Sequence, residues 1–518
     1  MDVVIGLDTG TTATKAVAAG LDGRVRALTS VGYPLLVPGS GRAELDGYRL
    51  REAAVQAVAE VAGQLRDRGD RVLAICLSAA MHGLVPLDAD GLPQGPLITW
   101  ADGRAAAQST ALSTAGRAAG LHRRTGTPVH PMSPLAKLAW WHETDPGLVR
   151  ATARWGGVKD VVVAALCGPG QPVDRSCASS TGLYDIHRRR WDDEALDIAG
   201  VRPEQLAEVV PTTHRLAPLL PDVAGVTGLP ADTPVIIGAA DGPLANLGLG
   251  AVTPGVAAVS IGTSGALRTV VDTPRIDDEG RLFCFALTED RWVVGGAVNN
   301  GGSVVRWAAQ ALAQGAALTG EAADALDAEL LAEAQQVPAG SDGLLCLPYL
   351  LGERAPWWRA GLRGAYLGLR REHRRAHLVR AALEGVCQQL ALVRDGLTAA
   401  RVQLHEVRAT GGAVASPLWV STLASTLDQP VCTAASPEGT AVGACLLGLH
   451  ALGALPDLGA AADIVATHEP VSPDPDDAAL YRRLRPLVER SALAIADVLT
   501  DLDRLAPGPA PATEKAVH

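Results

Sequence analysis

The stretch that decides the fold is Val3–Val17, with the sequence VVIGLDTGTTATKAV. An apolar run ends at Asp8, a turn of small polar residues follows, and a second strand-like run resumes at Ala16. This pattern predicts a β-hairpin whose turn brings backbone N–H groups, hydroxyls and one carboxylate together, and Gly10 lets the backbone approach a ligand closely. Such a turn suits phosphates and their metal ion, although amino-terminal hairpins with a Thr/Gly turn are also common without a ligand.

A second stretch, Val256–Val271 (VAAVSIGTSGALRTVV), repeats the pattern of an apolar run, a small polar turn and another apolar run. When Gly10–Thr12 is laid over Gly262–Ser264, Asp8 falls on Ser260. Two similar turns, one with the carboxylate and one without, predict a duplicated fold with unequal halves and a ligand between them.

Size and composition limit the classes of protein. A chain of 518 residues exceeds the size at which single cores stop growing, so two domains are expected. The net charge of −11 argues against nucleic acid or an anionic membrane as the main partner. The chain starts without a basic, apolar leader, which predicts a cytoplasmic protein. The longest apolar stretch, Ala441–Leu455, is too short to span a bilayer and is predicted to be a buried helix.

Strands that alternate with helices indicate an α/β architecture. The buried strand Val72–Leu77 leads to His82, and the segment Leu97–Arg104 reads LITWADGR. Ligands in such sheets gather beyond the carboxyl ends of the strands, which is where His82, Trp100, Asp102 and Arg104 are expected. Three of them also have an ordinary structural explanation: His82 as a hydrogen-bonded core histidine, Trp100 as a packing residue and Arg104 as a member of a surface ion pair.

Later segments set the predicted domain limits. A further strand is expected near Val161–Ala165, and the buried strand Thr233–Gly238 leads to Asp241. We place the domain boundary just after this point. The predicted units are residues 1–247, residues 248–466, and residues 467–518, the last with a terminal helix and a Pro/Ala-rich tail that is expected to be disordered.

The candidate chemistry is phosphoryl transfer, in which positioning and charge neutralisation do most of the catalysis. The P-loop class is excluded because no Gly is followed by Lys. Asp8 could hold Mg²⁺ directly or through waters. A second carboxylate is then needed to accept the proton of the acceptor hydroxyl, and Asp241 is the candidate. An Asp before Gly-Pro at the start of a helix is equally an ordinary helix cap.

Taken together, these stretches resemble the FGGY carbohydrate kinases, members of the actin-like ATPase superfamily. The likeness runs from about Val3 to about Leu455, and within the family the chain is most similar to the gluconate-kinase branch, through SAAMHGL, LITWADGR and IIGAADGPLANLGLGA. All the matching motifs in the right order are highly specific. They are DTGTTATK from Asp8, MSPLAKLAW from Met132, IGTSGA from Ile261, GAYLGL from Gly364, HLVRAALE from His377 and TGGAVASPLW from Thr410.

The resemblance implies a duplicated ribonuclease-H-like α/β fold in two lobes with a cleft between them, and ATP and Mg²⁺ as cofactors. It makes Asp241 the general base and gives the metal to Asp8 and Asp241. It assigns the nucleotide and its phosphates to Asp8, Gly10, Thr11, Thr12, Lys15, Gly262, Thr263, Ser264, Gly411 and Gly412. It assigns the sugar to His82, Trp100, Asp102, Arg104 and Asp241.

The resemblance therefore predicts ATP-dependent phosphorylation of D-gluconate to 6-phospho-D-gluconate. A gluconate carboxylate demands a positive partner, and Arg104, Lys137 and Lys159 are candidates that the sequence does not rank. The alternatives are a kinase of xylulose or another polyol, and, from another class, an actin-like ATPase used as a chaperone or assembly module. The expected partner is a small sugar acid, and the sequence leaves a homodimer open.

Overall fold

The computed structural model describes residues 1–312, 321–435 and 438–505. Within these ranges, no helix is both long and apolar enough to cross a membrane. The first half of the chain contains strands β1 (Asp2–Thr9), β2 (Ala13–Gly20), β3 (Val25–Gly32), β4 (Glu44–Leu45), β5 (Arg71–Ala79), β6 (Val85–Leu87), β7 (Leu97–Ile98), β8 (Arg154–Gly156), β9 (Val173–Asp174), β10 (Tyr184–Asp185), β11 (Arg190–Trp191), β12 (Val209–Val210) and β13 (Val235–Ala240). Its helices are α1 (Gly47–Asp67), α2 (Ala106–Thr114), α3 (Ala118–Thr125), α4 (Pro134–Thr144), α5 (Pro146–Ala151), α6 (Val158–Cys167), α7 (Arg175–Ser179), α8 (Asp193–Ala199), α9 (Pro221–Thr227) and α10 (Asp241–Gly248).

The second half continues the alternation of strands and helices. Its strands are β14 (Val256–Ile261), β15 (Gly265–Val271), β16 (Phe283–Ala286), β17 (Trp292–Val298), β18 (Leu345–Leu347), β19 (Ala365–Leu367), β20 (Glu406–Thr410) and β21 (Val431–Thr433). Its helices are α11 (Gly302–Leu312), α12 (Glu321–Ala334), α13 (Arg375–Ala399), α14 (Pro417–Leu427), α15 (Gly439–Ala451), α16 (Ala461–Ile464), α17 (Pro475–Ala494) and α18 (Ala496–Leu505).

The sheet of the first half has the strand order β13-β5-β1-β2-β3. Strand β2 runs antiparallel to β1 and β3, whereas β1, β5 and β13 are parallel to one another. Thr9 pairs with Ala79, and Ala79 pairs with Ala240, so the three parallel strands end side by side. Because ligands collect beyond such an edge, this is where the candidate site is built.

The sheet of the second half has the order β16-β17-β15-β14-β20-β21 and repeats the plan of the first. Strands β14 and β15 form a hairpin, and β14 then pairs in parallel with β20, as β1 does with β5. Asp8 lies opposite Ser78 in the first sheet, and Ser260 lies opposite Thr410 in the second. The predicted duplication and the overlay of the two turns are therefore confirmed.

Two helices cross between the halves. Helix α15 comes late in the chain, yet it packs against β1, β5 and the neighbouring α10, in one apolar cluster that includes Val4, Cys76, Leu244 and Leu446. The crossing is very close, because a Cβ added at Gly443 would lie 2.0 Å from the carbonyl oxygen of Leu244. The predicted buried helix in this part of the sequence is confirmed.

The predicted strand at Val161–Ala165 is wrong, because these residues lie in α6. The β-branched run suggested a strand, but Asp160 accepts a hydrogen bond from the N–H of Gly157 at 2.8 Å and so starts a helix. Most of α6 is buried on every side, so its sequence lacks the polar face by which a helix is recognised. The predicted terminal helix is present as α17, and the predicted tail, residues 506–518, lies outside the described residues.

Candidate functional site

Two half-buried carboxylates lie at the same edge of the first sheet. Asp8 is the last residue but one of β1, and its Oδ1 accepts a hydrogen bond from Ser78 Oγ at 2.7 Å. Asp241 is the first residue of α10, directly after β13. Burial raises the pKa of Asp8 to about 6, and the nearby charge of Asp241 acts in the same direction. The two carboxylates are therefore close enough for their charges to interact, as the convergence of their strands predicts.

One carboxylate oxygen of Asp241 is hydrogen-bonded to the backbone. Its Oδ1 accepts hydrogen bonds from the N–H of Gly242 at 2.8 Å and of Met81 at 3.3 Å. Burial raises the pKa of its carboxyl, and these hydrogen bonds and the Arg268 guanidinium oppose that rise. Asp241 is thus held in one orientation by Oδ1. The capping interpretation is wrong, because Ala240 occupies the N-cap position and Asp241 is the first residue of α10. Its Oδ2 accepts no hydrogen bond from the described residues and is available to a ligand.

The carboxylate pair fits a magnesium ion that is shared with phosphates. Among the residues that the structure describes, no group of three or more His, Cys, Asp or Glu side chains could hold a metal ion alone. Mg²⁺ usually keeps several waters and is bound through one or two carboxylates together with substrate phosphates. One or two acidic oxygens at this edge therefore match the donor set that such an ion uses.

The first turn, which the sequence predicts to bind phosphates, is closed and held in place by neighbouring side chains. The N–H of Gly10 donates to the carbonyl of Ala13 at 2.9 Å, and the carbonyl of Gly10 accepts from Tyr33 Oη at 2.8 Å. Thr11 Oγ1 accepts a hydrogen bond from Trp100 Nε1 at 3.0 Å, so the turn is linked to the predicted sugar loop. Thr12 is exposed at the tip of the turn, where its side chain is open to a ligand.

Lys15 has a partner in the other half of the chain. Its Nζ donates to both carboxylate oxygens of Glu438, at 2.9 and 3.2 Å. Glu438 directly precedes α15, so this ion pair joins β2 to the crossing helix. Sequence reasoning missed Glu438, because 423 residues separate the two partners.

The second turn opens onto a cavity of about 900 Å³. Gly262 and Thr263 line this cavity together with Gly412 and residues of α11 and α12. Ser264 belongs to the same turn, where its carbonyl accepts from the N–H of Gly262 at 2.9 Å. The volume is that of a small-molecule site, and the polar turn provides backbone groups at one end of it.

The paired glycines at the end of β20 have different roles. Gly411 has a φ of 102°, and a Cβ at this position would lie 2.3 Å from the carbonyl oxygen of Ile261. Gly411 is therefore needed for the close packing of β20 on β14. Gly412 lines the cavity, and a Cβ there would meet no atom within 4 Å. Only Gly412 has the position expected of a ligand contact.

His82 is held in a strained and defined state. Its φ of 65° is in the left-handed region, which non-glycine residues rarely adopt outside sites of special function. Its Nδ1 lies 2.8 Å from the carbonyl oxygen of Ser180, so Nδ1 carries the proton and Nε2 is an acceptor. Burial lowers the pKa of His82 to about 3, which keeps the ring neutral. The ring can accept a hydrogen bond from a hydroxyl group.

The side chains of Asp102 and Arg104 are paired with each other and are largely buried. Arg104 donates to Asp102 through Nε at 2.8 Å and Nη2 at 2.7 Å, and it is also paired with Glu44. The second oxygen of Asp102 accepts from the N–H of Ala43 at 2.8 Å. These contacts fix the loop that presents Trp100, and sequence reasoning missed Glu44 as a member of the cluster.

The remaining two cations predicted for a sugar carboxylate also have partners. Lys159 Nζ lies 2.8 Å from Asp174 Oδ2 in a buried ion pair. Lys137 is fully buried and donates to the carbonyls of His82 at 2.6 Å and Met132 at 2.8 Å. Burial lowers the pKa of Lys137 to about 7. Arg104 and Lys159 are therefore already neutralised within the protein.

Two arginines from the second half were missed. Arg268 on β15 donates to Ser260 Oγ at 3.2 Å, and Arg354 donates to the carbonyl of Val298 at 3.2 Å. The guanidinium of Arg354 lies 4.8 Å from the ring centroid of Trp100. The charges of Arg268 and Arg354 both interact with Asp241. A charged residue inside the apolar run of β15 was the signal that could have identified Arg268.

The chain is similar to known carbohydrate kinases over most of its length. Residues 3–248 match the model of the FGGY family of carbohydrate kinases, N-terminal domain, and residues 257–452 match its C-terminal domain. The gluconokinase of Bacillus subtilis is 38% identical over 93% of this chain and 94% of its own length. Two crystal structures from Lactobacillus acidophilus, a ligand-bound xylulose kinase and a gluconate kinase, each have a TM-score of 0.90 and 33% identity. Each covers 97% of this chain, and the matches span 100% and 99% of those two chains.

Proposed function

Because the chain belongs to the FGGY family of carbohydrate kinases, we propose that it transfers the γ-phosphoryl group of ATP to the terminal hydroxyl of D-gluconate. The observation that carries this proposal is the closeness of the carboxylates of Asp8 and Asp241, whose charges interact at the ends of β1 and β13. Phosphoryl transfer to a hydroxyl needs a base at the acceptor and charge neutralisation at the donor, and two carboxylates at one edge can divide these tasks.

Asp241 is the base of this proposal. Its free Oδ2 accepts the proton of the sugar hydroxyl, while Oδ1 stays bonded to the N–H groups of Gly242 and Met81. Burial raises the pKa of the carboxyl, which makes it a better proton acceptor than an exposed aspartate. The helix start thus fixes the base without using the oxygen that reacts.

The nucleotide occupies the cavity beside Gly262, Thr263 and Gly412, with its phosphates directed toward the first turn at Thr11. Asp8 would hold Mg²⁺ together with these phosphates, where the ion would supply charge neutralisation for phosphoryl transfer. The two turns orient the phosphates of the nucleotide, because they lie on opposite sides of the phosphates and belong to opposite halves of the chain.

The sugar lies between His82 and Trp100. His82 Nε2 accepts a hydrogen bond from a sugar hydroxyl, and the ring of Trp100 forms a wall that Arg354 covers from the other half. Gluconate is favoured because the gluconokinase of Bacillus subtilis is 38% identical to this chain. Xylulose is the second candidate, since the xylulose kinase of Lactobacillus acidophilus has the same TM-score as the gluconate kinase.

The substrate is tested by a coupled ADP-release screen across D-gluconate, D-xylulose, D-ribulose and glycerol. We expect the highest kcat/KM with D-gluconate, and activity on D-xylulose without activity on D-gluconate would overturn this choice.

The base is tested with Asp241→Asn, which we expect to lower kcat by about 10²- to 10⁴-fold while MgATP still binds. Asp222→Asn on α9 is the matched control and should retain normal turnover. An Asp241→Asn enzyme with near-normal turnover would remove Asp241 as the base.

A further inference from the structure

Two buried guanidinium groups near Asp241 have no carboxylate within ion-pair distance in the described residues, although the charge of Asp241 acts on both and that of Glu353 acts on Arg354. Arg268 is 7% exposed and Arg354 is 8% exposed. Among the described residues, neither forms an ion pair within 4.0 Å, whereas the buried Arg104, Arg380 and Arg485 each do. Burying an unpaired charge is costly, so such cations are rare in proteins unless they meet an anion during function.

Each of the two arginines also has an N–H donor that is not used in a hydrogen bond within the described residues. The Nε of Arg268 and the Nε of Arg354 are buried without a hydrogen-bond partner in the described residues. The hydrogen bonds that they donate within the described residues go to neutral groups, Ser260 Oγ and the carbonyl of Val298. A guanidinium presents five N–H donors in a planar fork that matches the oxygens of carboxylate and phosphate groups.

The two side chains converge on the same region of the cleft. Arg354 lies over Trp100, whose Nε1 donates to Thr11 of the first turn. A Cβ at Gly242 would lie 3.1 Å from Arg268 Nη1, so Arg268 lies directly against the residue that follows Asp241. The absence of a side chain at position 242 leaves room for the guanidinium at this place.

The duplication explains why a cation lies here. Ser260 occupies the position of Asp8 in the second hairpin, and Arg268 donates to it. The first hairpin thus contributes an anionic group to the cleft, and the second contributes a cationic one. The anionic group of the first half is suited to bind a metal ion, and the cationic group of the second half is suited to bind an oxyanion.

We propose that Arg268 and Arg354 form an oxyanion subsite beside Asp241, which binds a group with two or more charged oxygens. This proposal rests on the phosphoryl-transfer function proposed above. Two sources carry this chemistry, the phosphoryl group in transfer and the carboxylate of a sugar acid. Both arginines come from the second half and Asp241 comes from the first, so the arginines lie beside Asp241 only when the two halves meet.

The test uses Arg268→Met and Arg354→Met in the full-length chain, with Arg380→Met as the matched control. Arg380 is equally buried, but it is paired with Glu384 at 2.8 Å, on the face of α13 that contacts Tyr481 of α17. For the kcat measurements, the acceptor is whichever sugar the wild type phosphorylates in the screen above. These measurements therefore remain possible if D-gluconate is not the substrate. Binding of D-gluconate and of neutral D-glucitol is measured by calorimetry without nucleotide.

If the subsite holds the phosphoryl group, each cleft variant lowers kcat by about 10²- to 10³-fold, and the Kd of D-gluconate is unchanged. If it holds the carboxylate, the Kd of D-gluconate rises by about 30-fold or more, and that of D-glucitol does not change. Either result supports an oxyanion subsite.

Stability separates this role from a structural one. Removing Arg268 should leave the free energy of unfolding unchanged or higher, because an unpaired buried cation is lost, whereas Arg380→Met should be destabilised. The proposal is overturned if both cleft variants keep kcat and Kd within about twofold of the wild type. Destabilisation of Arg268→Met as large as that of Arg380→Met, with normal kcat, would also overturn it.

Discussion

Adding one methyl group at Gly443 should disturb both stability and catalysis. Gly443 lies in α15 where this helix crosses α10, and an added Cβ would be 2.0 Å from the carbonyl oxygen of Leu244 and 3.0 Å from the backbone nitrogen of Gly248. Ordinary contact begins at 3.4 Å, so the helices must separate by about 1.4 Å. The atoms that are met belong to the backbone, which cannot move aside as a side chain can.

The magnitude follows from two opposing effects. Overpacking of this kind costs about 1–3 kcal/mol. Alanine returns about 0.5–1 kcal/mol through its higher helix propensity. The net loss in the free energy of unfolding is then up to about 2.5 kcal/mol, to be measured by urea unfolding. Asp241 begins the displaced helix, and a shift of about 1 Å at a reacting group costs up to about 10²-fold, so we expect kcat to fall by about 10- to 100-fold.

Gly63→Ala is the matched control, because Gly63 is also inside a helix but its Cβ would meet only Arg66 Nη2, at 3.9 Å. This variant should gain about 0.5–1 kcal/mol and keep normal kcat. If Gly443→Ala gains stability as Gly63→Ala does, the close crossing is refuted. If it loses stability while kcat is unchanged, the link between the crossing and Asp241 is refuted.

Two further predictions concern buried charges. Lys159→Met leaves the buried Asp174 unpaired. We expect it to lower the free energy of unfolding by about 3–5 kcal/mol, measured by urea unfolding, without changing the KM of the sugar. A raised KM at normal stability would instead place Lys159 at the sugar. Burial raises the pKa of Glu353 to about 8 from 4.5, so the folded chain holds a proton that the unfolded chain releases between these values. The free energy of unfolding should therefore fall as pH rises through this range, by up to about 1.4 kcal/mol per pH unit, and Glu353→Gln should remove this contribution. Identical pH slopes in the two proteins would contradict the assignment.

Local pattern was sufficient to predict the two hairpins and the position of Asp241. A strand, a small polar turn and a second strand form one continuous segment, and their pairing depends on residues only a few positions apart. The end of β13 also follows from its apolar run, because parallel strands in such a sheet end at one edge. The placement of Asp8 and Thr11 at the first turn, and of Gly262 in the second, could therefore be predicted from the sequence alone.

Partners that lie far apart in the chain could not be predicted in this way. Lys15 meets Glu438, and Arg354 covers Trp100, only because the halves fold against each other. The strand predicted at Val161–Ala165 is a helix because burial on every side removes the periodic polar face that distinguishes the two structures. Sequence alone likewise could not show that Arg104 is already paired with Asp102.

The crossing of α10 and α15 also indicates how the halves can move. Asp241 starts one of the crossing helices, and Glu438 directly precedes the other, so both lie next to the region where the backbones are closest. A rotation about this region would displace residues near it least and residues far from it most. The second turn and Arg354 would then move relative to Asp8 and Trp100, while Asp241 would keep its place at the sheet edge. Such a motion would bring the second turn and Arg354 toward the carboxylate that we propose as the base, and it would exclude water that could otherwise accept the phosphoryl group.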